Sequence, residues 1–253
     1  MLYDIFTDSA CDIPEKLIEE HNIHQVYFYV SFDEKNYMKE KLEINTIDYY
    51  KKMIDEEAYP KTSLPNAQDY VDAFTPTVAE GKGIICICLS EKLSSSHQAA
   101  KAARSILLET YPDARIEVVE SRMCTVEQGL FVLEAVKMRE AGISFDQALK
   151  EIKRILPTGR IFFTVGNLDY LKKGGRIGNV AYYAASILGI KPLIVMIDGE
   201  IFSSGIARNK KKAIKKLLVN AKEYLKKAGE SPNDYSFGVG KGVDPVEADE
   251  LAL

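Results

Sequence analysis

The serine triplet Ser94–Ser96 stands between an apolar run, residues 83–89, and a stretch with helical spacing, residues 96–108. A strand that leads into a helix directs unpaired backbone N–H groups and the positive end of the helix dipole at one place. One hydroxyl suffices there as an N-cap, and Ser95 with Gln98 has the spacing of a capping box. The additional serines predict a site that holds a carboxylate or a phosphate by hydrogen bonds, without a base.

Two further groups of hydroxyl side chains are expected near the same edge of the sheet. Thr7, Asp8 and Ser9 end the first predicted strand, and Thr62 and Ser63 form a predicted polar turn before a helix. Ligands of open α/β sheets bind outside the carboxyl ends of the strands, so these side chains are candidates for one shared site. Serine and threonine also favour caps and turns for local reasons, and that purely structural role stays open.

A glycine-rich segment in the second half of the chain is suited to place an arginine. Gly174 and Gly175 permit positive φ angles, and the chain then presents the guanidinium of Arg176. The alternative is a helix C-cap that follows solvated lysines. Such a cap explains Gly174 but neither the second glycine nor Arg176.

The usual catalytic signatures are missing. The chain has no GxSxG elbow, no Walker loop, no GxGxxG after a strand and no HExxH motif. His97 neighbours the serines, but a triad requires spatial geometry and not sequence adjacency. No CxxC motif or Cys/His cluster predicts a metal site. The pattern favours binding over catalysis, and the alternative is a small-molecule phosphotransferase or hydrolase that uses Asp8 and the serine-rich loop.

The first part of the chain alternates strands and helices, which predicts an α/β domain with a Rossmann-like parallel sheet and helices on both faces. The predicted strands are residues 4–7, 25–32, 84–89 and 116–119, and the predicted helices are 14–20, 46–56, 67–79 (interrupted by Pro76), 96–108 and 125–140.

The later part predicts a mixed or antiparallel α+β domain. An Asp198-Gly199 turn between two apolar runs indicates a hairpin. The domains are expected at 1–157 and 158–253, and residues 245–253 resemble a helix that stops within its pattern, as in a truncated chain. The predicted helices are 144–155, 168–172, 180–188 and 209–227, and the predicted strands are 161–165, 193–197 and 201–202.

Composition points to an ordinary globular protein. A chain of 253 residues predicts two domains, and a net charge of −4 gives no reason to expect nucleic acid as a partner. The strand-like pattern from Met1 leaves no room for a signal peptide, and no apolar stretch approaches the roughly 20 residues of a membrane helix.

Cys86 and Cys88 fall on one face of a buried strand as small apolar side chains. We expect a cytoplasmic, reducing setting.

Seven segments resemble, in order along the chain, the motifs of one family. The first reads as TDS-x-x-D-L/I-P and the fifth as L-x-Y-L-K-K-G-G-R-I, and both motifs are specific. The family is the DegV family of bacterial fatty-acid-binding proteins. The matching segments are residues 7–14, 61–65, 93–98, 120–129, 168–177, 191–200 and 208–213.

The resemblance implies a two-domain α/β protein that buries one long-chain fatty acid between its domains. It implies that Thr62 and Ser94 hold the carboxylate, with Ser63 beside them and the backbone N–H of Ser95 assisting. Arg176 resembles the family arginine near the carboxylate end or the partner surface. Further side chains are expected to line or support the pocket: Thr7, Asp8, Ser9, Ser96, His97 and Arg208.

The resemblance also implies a partner. Some members present the bound acyl group to a separate ATP-dependent fatty acid kinase, which makes acyl-phosphate for phospholipid synthesis. This chain would then be the acyl carrier and not the catalyst, with no cofactor or metal of its own, and transient membrane contact is compatible with that role. A member that binds another apolar acid in a regulatory role is a further alternative.

Overall fold

A computed structural model describes residues 2–166, 168–181 and 190–242. The chain divides into two compact units, Met1–Gly159 and Arg160–Leu253. In the described ranges, no helix combines the length and the apolar composition of a membrane span.

The elements of the first unit are β1 (Tyr3–Asp8), α1 (Glu15–Glu20), β2 (Ile23–Val26), β3 (Tyr29–Ser31), β4 (Met38–Lys39), α2 (Thr46–Asp55), β5 (Lys61–Ser63), α3 (Ala67–Ala79), β6 (Gly83–Cys88), α4 (Ser96–Thr110), β7 (Ile116–Glu120), α5 (Thr125–Glu140) and α6 (Phe145–Ile155).

A four-stranded parallel sheet of order β2-β1-β6-β7 forms the centre of the first unit. Its side chains alternate between two hydrophobic cores, because successive residues of a strand face opposite sides. Ile5, Ile85 and Ile87 face a core that α1, α5 and α6 cover. Phe6 and Cys86 face a second core, which α3 and α4 cover. The predicted α/β class, with helices on both faces of a parallel sheet, is confirmed.

A second, smaller sheet departs from the predicted pattern. In it, β3 pairs antiparallel with both β4 and β5. The prediction of one strand over 25–32 is wrong, because this run supplies β2 to one sheet and β3 to the other. Between them, the backbone N–H of Phe28 donates to the Ser9 hydroxyl at 2.9 Å and does not extend a strand ladder. The predicted turn at Thr62 is also wrong, because Thr62 pairs with Val30 in β5.

Helix α3 runs through Pro76, where the sequence predicts an interruption. Proline cannot donate to the carbonyl of Asp72 four residues earlier. Both residues are exposed, so water can bond to that carbonyl and the helix continues for its last turn.

The second unit contains a three-stranded antiparallel sheet of order β10-β9-β8. The predicted hairpin is confirmed: Asp198 and Gly199 have φ of 48° and 85°, as a two-residue turn of this kind requires. Beyond Ala181, the helix predicted at 180–188 lies outside the described residues, as does the one predicted at 245–253. The elements are β8 (Phe162–Thr164), α7 (Asp169–Lys173), β9 (Lys191–Ile197), β10 (Glu200–Ala207) and α8 (Lys210–Ala228).

Candidate functional site

Asp8, the last residue of β1, is completely buried and lies at the centre of a polar cluster. Its Oδ2 accepts one hydrogen bond from the backbone N–H of Leu89 (2.9 Å) and one from the Ser96 hydroxyl (2.8 Å). Leu89 follows β6 and Ser96 begins α4. One carboxylate oxygen therefore contacts both ends of the connecting segment, residues 90–95, which we call the serine loop.

Two side chains from other helices complete this cluster. Gln128 of α5 is fully buried and donates from Nε2 to Asp8 Oδ1 (2.9 Å) and to the Thr7 hydroxyl (3.1 Å). The hydroxyl of Tyr70 in α3 lies 2.6 Å from Ser96 Oγ. Because the single hydroxyl proton of Ser96 goes to Asp8, Tyr70 is the donor in that contact. The cluster thus joins helices from both faces of the sheet to the end of β1.

Burial raises the pKa of Asp8, because a carboxylate loses its hydration inside the protein. The hydrogen bonds from Gln128, Leu89 and Ser96 act in the opposite direction, since they stabilise the charged form. Asp8 has no exposed surface, and these donors occupy both of its oxygens. Its geometry therefore suits it to organise its neighbours.

The N-terminus of α4 carries several hydrogen-bond donors that remain open. Ser94 Oγ accepts the backbone N–H of Ser96 at 3.2 Å, and the hydroxyl proton of Ser94 has no acceptor in the described part of the chain. The backbone N–H groups of Ser95, His97 and Gln98 also have no acceptor among those residues. Such donors, at the positive end of a helix dipole, can bind an anion.

The predicted capping box of Ser95 and Gln98 is wrong. The Ser95 side chain makes no cap hydrogen bond, and the Gln98 amide donates to Glu91 Oε1. The same oxygen is bonded to Nδ1 of the buried His97, and this contact lowers the pKa of Glu91. Glu91 belongs to the serine loop, so His97 and Gln98 hold the loop against the first turn of α4.

Thr62 and Ser63 are exposed on β5, and in the described ranges neither side chain is hydrogen-bonded to the serine loop. Ser63 pairs with Tyr29, whose hydroxyl donates to Asp69 of α3 at 2.8 Å. Asp69 is adjacent to Tyr70, which contacts the start of α4. The first turn of α3 therefore connects β5 to the start of α4, next to the serine loop.

Ser9 has a different environment from the other hydroxyls at the end of β1. Its side chain is buried, donates to Glu40 Oε1 and accepts the backbone N–H of Phe28. It therefore joins β1 to the chain that enters β3, and in the described part of the chain its side chain forms no hydrogen bond to the serine loop.

Arg176 and Arg208 are exposed residues of the second unit. Arg176 follows α7 and donates from Nη1 to the carbonyl of Gly174. Gly174 has a φ of −74°, whereas Gly175 has a φ of 73°. The left-handed position that favours glycine is therefore the second one of the pair, and Gly175 turns the chain before Arg176. Arg208 lies between β10 and α8.

Sequence reasoning assigned no role to Gln128 or Tyr70, although a signal exists for each. Gln128 lies on the same buried face of α5 as Val132 and Ala135, and a polar residue in an apolar stripe needs a partner. Tyr70 begins the buried stripe of α3 that continues with Phe74, and its hydroxyl needs one too. The partners cannot be read from either helix, because they lie on other elements.

The described residues contain no group of three His, Cys, Asp or Glu side chains that could hold a metal ion. The cysteines have no disulfide partners: Cys11, Cys86 and Cys88 are buried and Cys124 is half-buried. Burial raises the pKa of Cys124 to about 12, so this thiol is protonated near neutral pH and is a poor nucleophile.

Comparison with known proteins identifies close relatives. A family model described as an uncharacterised protein of the DegV family matches residues 3–253. A DegV domain-containing protein of Clostridium perfringens is 32% identical over 250 residues, which cover 98% of this chain and 84% of that protein.

Solved structures show the same similarity. The crystal structure of a fatty acid (stearic acid)-binding protein from Eubacterium ventriosum is 41% identical, with a TM-score of 0.94 over 99% of this chain and 85% of that chain. A DegV family protein from Thermus thermophilus, described for its fatty acid binding, is 27% identical, with a TM-score of 0.80 over 88% of this chain and 78% of that chain.

Proposed function

This chain belongs to the DegV family, and we propose that it binds one long-chain fatty acid. Thr62, Ser63, Ser94 and the backbone N–H of Ser95 bind the carboxylate in this proposal. The observation that carries it is the similarity to the stearic-acid-binding protein from Eubacterium ventriosum, at 41% identity over 99% of this chain.

The serine loop supports this assignment of the head group. The free hydroxyl proton of Ser94 and the N–H of Ser95 are neutral donors next to the positive end of α4. Neutral donors hold a carboxylate and leave one of its oxygens nucleophilic. A lysine or arginine in tight contact would make that oxygen a poorer nucleophile. The tail contributes affinity separately, at roughly 0.8 kcal/mol per buried methylene.

We further propose that the chain presents the bound carboxylate to a separate ATP-dependent fatty acid kinase and is not itself the catalyst. Asp8 supports this division of labour, because it is buried and occupied by structural donors. The exposed Arg176 is the residue we assign to the carboxylate end or the partner surface, and Arg208 keeps the supporting role predicted from the sequence. This role places the protein in the cytoplasm, with transient contact to the membrane that supplies its ligand.

Titration of stearic acid into delipidated protein tests the head-group assignment. We expect the double variant Thr62→Ala/Ser94→Ala to bind the acid at least about 100-fold more weakly, because each lost hydrogen bond to a charged group contributes roughly 1.5–3 kcal/mol. Ser105→Ala is the matched control, since this exposed serine lies farther along α4 and bonds only to the carbonyl of Lys101.

Two results would count against the proposal. Equal affinity in the double variant and in Ser105→Ala would remove Thr62 and Ser94 from the head-group site. Acyl-phosphate formation from ATP and stearic acid by this chain alone, without any kinase, would overturn the carrier role.

A further inference from the structure

We propose that Asp8 is a positioning residue that holds the carboxylate-binding donors of the serine loop in place, an inference that rests on the function proposed above. Asp8 would not touch the ligand. It would act through Ser96 and Leu89, the residues at the two ends of the loop.

The geometry at the loop ends carries this inference. Oδ2 of Asp8 lies 2.9 Å from the backbone nitrogen of Leu89 and 2.8 Å from Ser96 Oγ. A single oxygen therefore fixes the distance between the end of β6 and the start of α4. Its other oxygen is anchored by Gln128 at 2.9 Å, so the carboxyl group cannot rotate without breaking a bond to a different helix.

Inside the loop, the remaining hydrogen bonds transmit that position to the donors. The backbone N–H groups of Leu93 and Ser94 both donate to the carbonyl of Ser90, at 3.0 and 3.1 Å. At the other end, the N–H of Ser96 donates to Ser94 Oγ at 3.2 Å. One lone pair of Ser94 Oγ is thus engaged by the same residue that Asp8 holds, so the Ser94 hydroxyl proton points away from that N–H.

The contacts of Ser96 separate its two roles. Its hydroxyl bonds to Asp8 and Tyr70, whereas its backbone N–H bonds to Ser94. Loss of the hydroxyl would release the start of α4 from Asp8 and leave the backbone contact without an anchor. The donors would then sample several positions, and the carboxylate would have to order them on binding.

Ser96→Ala is the variant that tests this role, because Asp8→Ala would deprive Leu89, Ser96 and Gln128 of an acceptor at once and endanger folding. Thr77→Val is the matched control. Thr77 is also a buried hydroxyl that bonds to an aspartate of β1, but its partner is Asp4, at the opposite end of the strand.

The measurement is the affinity of delipidated wild type and both variants for stearic acid and for octadecanol, with thermal melting of each protein. Octadecanol has the same tail length but no carboxylate, so a merely structural loss would weaken both ligands. We expect Ser96→Ala to lose about tenfold affinity for the acid and less than twofold for the alcohol. We expect Thr77→Val to change both by less than twofold, with a comparable decrease in Tm.

Failure of this inference differs from failure of the proposed function. If the wild type binds stearic acid but Ser96→Ala keeps its affinity for the acid, the role of Asp8 alone is overturned. The same holds if Ser96→Ala loses affinity for the acid and the alcohol equally. Wild type that does not bind stearic acid would overturn the proposed function. If the alcohol binds too weakly to measure, a Ser96→Ala affinity for the acid equal to that of Thr77→Val overturns the inference.

Discussion

Replacement of Gly129 by alanine probes the contact between α5 and the end of β1. Gly129 is buried next to Gln128 in α5. A Cβ at this position would lie 2.4 Å from the carbonyl oxygen of Cys11 and 3.1 Å from Cγ1 of Ile13. The first neighbour is backbone and cannot rotate away, so the helix itself must move.

The size of the effect follows from these distances. Non-bonded atoms settle at about 3.5 Å, so α5 must retreat by about 1 Å. That retreat would stretch the Gln128–Asp8 hydrogen bond beyond its present 2.9 Å. Overpacking costs about 1–3 kcal/mol and the weakened bond about 1 kcal/mol, whereas alanine gains about 1 kcal/mol over glycine in a helix. We expect a net destabilisation of about 2 kcal/mol.

Thermal unfolding followed by circular dichroism measures this change. A loss of about 2 kcal/mol corresponds to a decrease in Tm of about 4–8 °C for a unit of this size. Gly166→Ala is the control, because a Cβ there meets nothing within 4 Å. A Gly129→Ala protein with an unchanged or higher Tm would refute this reasoning, since helix propensity would then outweigh the contact.

Three further changes have defined outcomes. Asn66→Ala removes the side chain that caps α3 through the N–H groups of Gln68 and Asp69, and urea unfolding should show a loss of about 1 kcal/mol. Gly199→Ala places a side chain at a φ of 85° in the β9–β10 turn and should destabilise the second unit by about 1–2 kcal/mol in the same assay. Burial raises the pKa of Asp8, so the folded state keeps a proton that the unfolded chain releases, and the stability of the wild type relative to Asp8→Asn should fall as pH rises from about 4 towards the folded pKa. Asp8→Asn lacks this titration, so the difference in unfolding free energy between the two proteins isolates it, and a difference that stays constant across that range would contradict the raised pKa.

The parallel sheet could be predicted because its signal is local. Strands with apolar residues on both faces, such as residues 84–88, alternate with amphipathic helices, and this alternation alone implies the α/β class. The run over 25–32 shows where such reasoning fails. β2 and β3 lie in one run of strand-forming residues, and the contact of Phe28 with Ser9 between them involves a residue distant in sequence.

The candidate site also has one part that local sequence predicts and another part that depends on residues distant in sequence. The serine loop attracts notice because three hydroxyls precede a helix, where only one is needed as a cap. The side chains that organise the loop are harder to find, because Gln128 and Tyr70 reach it from helices distant in sequence. The strand at Thr62 was missed since its partner Val30 lies in another part of the chain.

Native mass spectrometry of the protein as purified tests the central claim most directly. If the chain is a fatty-acid carrier, the spectrum should contain a species heavier than the polypeptide by the mass of one long-chain fatty acid. That species should be lost in the Thr62→Ala/Ser94→Ala variant and kept in Ser105→Ala. A wild-type spectrum that shows only the bare polypeptide, even after incubation with stearic acid, would contradict the claim.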